Sequence, residues 1–303
     1  MITREQVRHN LSGPIASLST VFNRDGSIDY DGLRSLIDAD ILGGTKTILL
    51  TWGDSLFSLL TDDEIAEVTK VVVEHTGTRA MVVAADGTWW TGKTVEFAKY
   101  VRGLGADVLM VKPPVWAGSC TVDTLVDHYA TVAEHIPVML VTNVFESNTE
   151  LGLRTIERVC EEVDNVVAIK DDISGEFACK MTSIAHDKLA VFDGGGKAPY
   201  LKIVHYGAVG FMSTLIMAVP QHTASYWSAI ERGDWEIAAR IISNHDEPFR
   251  DYIFNLPGGA DSGVHGMLEL YGIAQRWRRN PYYNMNDEEM EQYQDFFKSR
   301  GWL

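Results

Sequence analysis

The sequence predicts a (β/α)8 TIM barrel with a C-terminal helical extension, and three observations carry that expectation. Eight short apolar runs recur along the chain. Amphipathic helical patterns fill the intervals between them, and residues 233–303 carry helical patterns alone. Strands that alternate with helices form a parallel sheet, and eight such units close naturally into a barrel.

The runs are PIASLST (14–20), TILLTW (47–52), RAMVVAA (79–85), DVLMVK (107–112), PVMLVT (137–142), VVAIK (166–170), LAVFD (189–193) and AVGFMS (208–213). They are continuous rather than alternating, as expected of strands buried on both faces of a parallel sheet. The helical segments have their own boundary signals. DYDGLRSLIDADILGG (29–44) stops on Gly43-Gly44, a favoured helix end. TDDEIAEVTKVVVEHTG (61–77) opens on Thr61 with Glu64 three residues on, a capping box. TVEFAKYVRGLGAD (94–107) and TVDTLVDHYATVAEH (121–135) repeat the helical spacing. A doubly wound open sheet is the alternative, but no GxGxxG follows the first run. Beyond the eighth run come three helical stretches, at 220–255, 262–275 and 286–301. The division expected is a barrel over 1–232 and a helical bundle packed on it over 233–303.

Composition excludes several classes. With 26 basic against 42 acidic residues, a net charge of -16 argues against a nucleic-acid surface or binding to an anionic membrane. The start, MITREQVRHNLSG, is polar, and no run approaches the length of a membrane span. Cys120, Cys160 and Cys179 are odd in number, widely spaced and lack a CxxC. They read as reduced thiols of a cytoplasmic protein. No histidine and carboxylate cluster has metal-ligand spacing. His205 and His265 read as helix-surface or packing residues.

In such a barrel, chemistry sits at the carboxyl ends of the strands. Those ends present Thr51, Trp52, Gly53 and Asp54; Asp86, Gly87 and Thr88; Lys112; Thr142 and Asn143; Lys170; Asp193 and Gly194; Met212 and Ser213. Lys170, at the end of NVVAIKDD, is the most pointed of these. Burial of an ammonium costs solvation and favours the free amine, and a free amine can attack a ketone to form a Schiff base. The alternative is a structural ion pair with Asp171 or Asp172. Lys112 competes, or reaches over the rim. Lys197 follows three glycines in DGGGKAP, which a β/α turn explains better than a phosphate site.

The order of these features resembles the dihydrodipicolinate synthase / N-acetylneuraminate lyase family. GPIASLSTVFNRDGSIDYDGLRSLID is similar to its TPF-and-DG opening, TWGDS (51–55) stands where it carries TTGES, and TNV (142–144) where it carries YNVP. NVVAIKDDISGEF matches the segment bearing the Schiff-base lysine; GAVGFMS and AIERGDWEIAARI match the last strand and the helix after it. The resemblance implies a class I pyruvate-type aldolase barrel without cofactor or metal. It gives Lys170 the Schiff-base role and the loop of Thr51, Trp52, Gly53, Asp54 and Ser55 the substrate carboxylate. Met212 falls near a position whose carbonyl contacts substrate. A homo-oligomer, dimer or tetramer, is implied as well.

The departures bear on mechanism. The family's catalytic tyrosine is replaced by Thr142, its second tyrosine aligns near Val115, and the second threonine of TTGES is Trp52. Trp116 resembles the tryptophan loop of the family's hydratase-aldolases, or is an interface residue. The expectation is a Schiff-base lyase acting on a small 2-oxo acid, with proton transfer by Thr142, Thr51 or water. The rivals are a hydro-lyase on a deoxy-sugar acid and a non-catalytic binding protein.

Overall fold

In the computed structural model, which describes residues 2–303, eight parallel strands close in sequence order into one barrel. They are β1 (Gly13–Ser17), β2 (Thr47–Leu49), β3 (Met81–Ala85), β4 (Val108–Val111), β5 (Val138–Val141), β6 (Val166–Asp171), β7 (Ala190–Asp193) and β8 (Gly210–Met212). The seam pairs β1 with β8 through Gly13↔Gly210, Pro14↔Phe211 and Ile15↔Met212. Every residue of β3, β4 and β5 is buried, which is why their runs showed no alternation. The β5–β6 pairing skips Val167, between Val138↔Val166 and Met139↔Ala168. That extra residue is a bulge in the strand carrying Lys170.

The polar start, read without an element, folds as α1 (Arg4–Asn10). Thr3 and Gln6 cap it reciprocally, a signal present in TREQ, and Val7 buries against the sheet. The barrel helices follow as α2 (Tyr30–Leu42), α3 (Asp62–Thr76), α4 (Thr91–Leu104), α5 (Val122–Ala133), α6 (Thr149–Glu162), α7 (Gly175–Ala185), α8 (Lys197–Ile203) and α9 (Pro220–Arg232). The Thr61–Glu64 capping box forms as expected.

The chain continues through α10 (Trp235–Ile241), a π turn (Ile242–Asp246), α11 (Glu247–Phe254), α12 (Gly259–Leu270) and α13 (Asp287–Ser299). Pro248 lacks an N–H and cannot continue the i→i−4 ladder, which accounts for the π turn ahead of it. A second apolar cluster joins Phe249, Ile253, Met267, Tyr293, Phe297 and Trp302 to Leu215 and Val219, which follow β8. Ala238, Ile242 and Leu268 pack into the barrel's own core. Arg279 fastens the far end: it donates to both oxygens of Glu64 at 2.7 and 2.8 Å, and to the carbonyls of Gly26 and Leu59. No helix of the described residues is long and apolar enough to cross a membrane.

Candidate active site

Lys170 lies within β6, paired to Val141 of β5 and Phe192 of β7, and is 6% exposed. Its amine donates to the Asp172 carboxylate. Both readings of the sequence therefore meet in one residue: the ion pair forms, and it forms inside a cavity. That cavity, of about 400 Å³, is lined by Thr51, Trp52, Lys112, Asn143, Lys170 and Asp172, among others.

Gly194 decides whether the pair fits. A Cβ there would run into Asp172 Oδ1 and lie 2.6 Å from Lys170 Nζ. The glycine run thus has a packing reason at its first residue. Its third, Gly196, has φ +100° and caps α8, a conformation glycine adopts without strain. Lys197 is buried and turned away, with Nζ 2.6 Å from Asp246 of the π turn.

Asp171 is fully buried and braces the backbone around Lys170. Its Oδ1 accepts from Thr142 Oγ1 at 2.8 Å, and its Oδ2 from Ser174 N at 3.0 Å. Burial raises its pKa. Thr142 also accepts from Asp172 N at 2.8 Å. Thr142, expected to serve in proton transfer, is engaged on both sides here. Its proton goes to Asp171, its acceptor capacity serves the Asp172 amide, and the side chain is 0% exposed. Threonine here ties β5 to the Lys170–Asp172 segment and positions the carboxylate.

The loop after β2 is held from behind. Ser55 Oγ donates to the Leu18 carbonyl at 2.6 Å and accepts from Thr51 N at 3.0 Å. Ser55, expected to bind substrate, is fully buried and outside the cavity lining. Asp54 N donates to Thr51 Oγ1 at 2.9 Å, and Asp54 Oδ2 accepts from Ser17. The N–H groups of Trp52 and Gly53 have no acceptor among the described residues. Thr51, Trp52, Gly53, Asp54 and Met212 all line the cavity.

Three further strand-end residues, named from the sequence without a role, also stand near the cavity. Asp193, at the end of β7, accepts from Gly195 N at 2.7 Å, while its Oδ2 is buried without a partner. Burial pushes its pKa up to about 7. Asp86 accepts from the N–H groups of Lys112 and Thr88, and burial likewise raises it to about 7. Asn143 Oδ1 is buried with no partner on the cavity wall. A second cavity of about 590 Å³ shares Gly53, Asp54 and Met212 with the first and extends toward Phe249, Ile253 and Tyr282. Trp116 stands 80% exposed. His265 is buried at the α12 packing surface, and His205 is exposed with its ring edge-on to Trp235, 4.5 Å between centroids, a packing residue and a surface residue respectively.

An eight-stranded parallel barrel with a buried, carboxylate-paired lysine in the cavity at its carboxyl end is the arrangement of a class I aldolase-type lyase. The model of the Dihydrodipicolinate synthetase family matches residues 10–300, and the chain belongs to that family. A 4-hydroxy-tetrahydrodipicolinate synthase from Sorangium cellulosum is 31% identical over 230 residues, covering 74% of this chain and 75% of the relative. The N-acetylneuraminate lyase of Fusobacterium nucleatum superposes with a TM-score of 0.83 at 18% identity, covering 95% and 98% of the two chains. YagE, a prophage protein of the dihydrodipicolinic acid synthase family from E. coli K12 in complex with pyruvate, superposes at 0.82 and 21% identity, covering 96% and 99%.

Proposed function

We propose that this lyase forms a Schiff base between Lys170 and the carbonyl of a 2-oxo acid, and then makes or breaks a bond beside that carbon. The observation that carries the reading is the Lys170–Asp172 pair inside the cavity, beside the unpaired N–H groups of Trp52 and Gly53. The pyruvate complex of YagE supports a 2-oxo acid as ligand.

Asp172 accepts a proton from the Lys170 ammonium, and the freed amine adds to the carbonyl carbon. The carbinolamine takes a proton on oxygen and loses water, leaving an iminium. The substrate carboxylate accepts from Trp52 N, Gly53 N and the Thr51 hydroxyl, whose proton has no partner within the protein. In aldol cleavage, the proton of the C4 hydroxyl is removed and the C3–C4 electron pair moves into the iminium. In dehydration, a C3 proton is removed first and the C4 hydroxyl leaves from the enamine. Asp172 is the carboxylate within reach of the reacting nitrogen, so it takes the place of the family's tyrosine as proton carrier. Asn143 Oδ1 is free to accept from a substrate hydroxyl.

The test is borohydride reduction in the presence of pyruvate, read by intact mass. One reduced pyruvyl group should be gained by the wild-type protein and none by Lys170→Arg. A protein left unmodified by pyruvate and by longer 2-oxo acids would favour the binding-only reading.

A further inference from the structure

Five lysines of the chain are not exposed: Lys70, Lys93, Lys112, Lys170 and Lys197. Four have a carboxylate within ion-pair distance. Lys70 lies 3.6 Å from Glu67 and Lys197 2.6 Å from Asp246, while Lys93 pairs with Asp62 and Lys170 with Asp172. Lys112 has no such partner among the described residues. Its Nζ instead rests over the indole of Trp52, 4.1 Å from the ring centroid. It is half-buried and lines the same cavity as Lys170. A partly desolvated cation in contact with a π surface and with no carboxylate is under-compensated.

We propose that Lys112 binds a second anionic group on the substrate, so that the site selects 2-oxo acids carrying a carboxylate at the far end of the carbon chain. This role depends on imine formation at Lys170. Three alternate strands then supply three anchors. The loop after β2 takes the C1 carboxylate, Lys170 of β6 takes the C2 carbonyl, and Lys112 after β4 takes the distal anion.

Charge supports the assignment. Asp54 and Asp172 line the cavity, with Asp86, Asp171 and Asp193 buried at adjoining strand ends. A dianion entering this acidic setting needs a cation that no protein carboxylate already contacts. Burial lowers the pKa of Lys112, opposed by the charges of Asp86 and Asp172. That is the response expected of an ammonium whose lost water has not been replaced by a contacting anion. Trp52, which replaces a threonine of the family motif, supplies the face that holds the ammonium in place.

The experiment compares two five-carbon 2-oxo acids that differ only at the far end, 2-oxoglutarate and 2-oxopentanoate. The readout is the concentration giving half-maximal borohydride trapping at Lys170. Wild-type protein should trap the diacid at a concentration about tenfold lower or better, the scale of one hydrogen bond to a charged group. Lys112→Met should lose the preference, weakening trapping of 2-oxoglutarate about tenfold more than that of 2-oxopentanoate, whereas Lys112→Arg keeps it. Lys112→Gln is a second neutral variant should the methionine form fail to fold. Equal weakening of both acids in the neutral variants would place Lys112 on the C1 carboxylate and overturn the proposal. So would a wild-type protein with no preference. A wild-type protein that traps pyruvate but neither five-carbon acid would overturn it too, whereas one that traps no 2-oxo acid at all, pyruvate included, would overturn the Schiff-base function itself.

Discussion

Gly194 stands so close to Lys170 that a single methyl group on it would lie 2.6 Å from the lysine Nζ. A residue of β7's terminal turn therefore sets the room in which the β6 lysine meets Asp172. The site is built by what one strand end omits as much as by what the next supplies.

Substitution of Gly194 by alanine should leave the barrel folded, because the added methyl faces the cavity and not the core. Overpacking of this kind costs about 1–3 kcal/mol. The new Cβ must displace the lysine or its carboxylate, and it also crowds the Asp171 carbonyl oxygen at 2.9 Å, so trapping of 2-oxo acids should fall to background. A thermal melt and a trapping assay check the two halves. An alanine variant that traps at the wild-type rate would show that the close contact is not limiting.

Asp172→Asn keeps the shape of the side chain and removes its capacity to take the lysine's proton. General acid–base groups contribute about 10²–10⁴-fold, so trapping near neutral pH should slow by about a hundredfold at saturating 2-oxo acid. Half-saturating concentrations should change far less. An unchanged rate would move the proton-carrying role to Thr51 or water.

Thr142→Val deletes the hydroxyl that serves Asp171 and the Asp172 amide. Both partners are left buried without it, which costs about 1–3 kcal/mol in stability. Activity should fall too, because the Asp172 backbone loses its tether to β5. Thr142→Ser restores the hydroxyl and should recover both properties. A valine variant that is less stable yet fully active would reduce Thr142 to a purely structural brace.

Asp86 gives a pH dependence whose sign follows from burial. Its pKa rises from 3.8 to about 7 in the folded protein. Between those values the folded state holds a proton that the unfolded state has released, so this group's contribution to stability falls as pH rises. The contribution is complete below the unfolded value and lost through about pH 7, at no more than about 1.4 kcal/mol per pH unit. Asp86→Asn should flatten that part of the profile, measured by denaturant unfolding from pH 4 to 8. A variant with the wild-type slope would show that Asp86 does not carry it.

The barrel was legible because burial on both faces forces continuous apolar runs, and all eight became strands. Strand ends also placed Thr51, Lys112 and Lys170 at one cavity. The hydroxyls were less legible, since nothing in TNV or DS shows whether Thr142 and Ser55 turn into the cavity or behind it. That depends on cross-strand partners such as Asp171 and Leu18, distant in sequence. Lys112 could be placed on the rim but not over Trp52, because the two meet only across the barrel mouth. The helix at Arg4–Asn10 was missed although its capping box is local and readable.

The central claim is that Lys170, and not its neighbour Lys112 in the same cavity, is the nucleophile. Peptide mapping after borohydride reduction with pyruvate tests it most directly. The account predicts one modified peptide, carrying the reduced adduct on Lys170, with Lys112 unmodified. An adduct on Lys112, or no adduct with any 2-oxo acid, would contradict it.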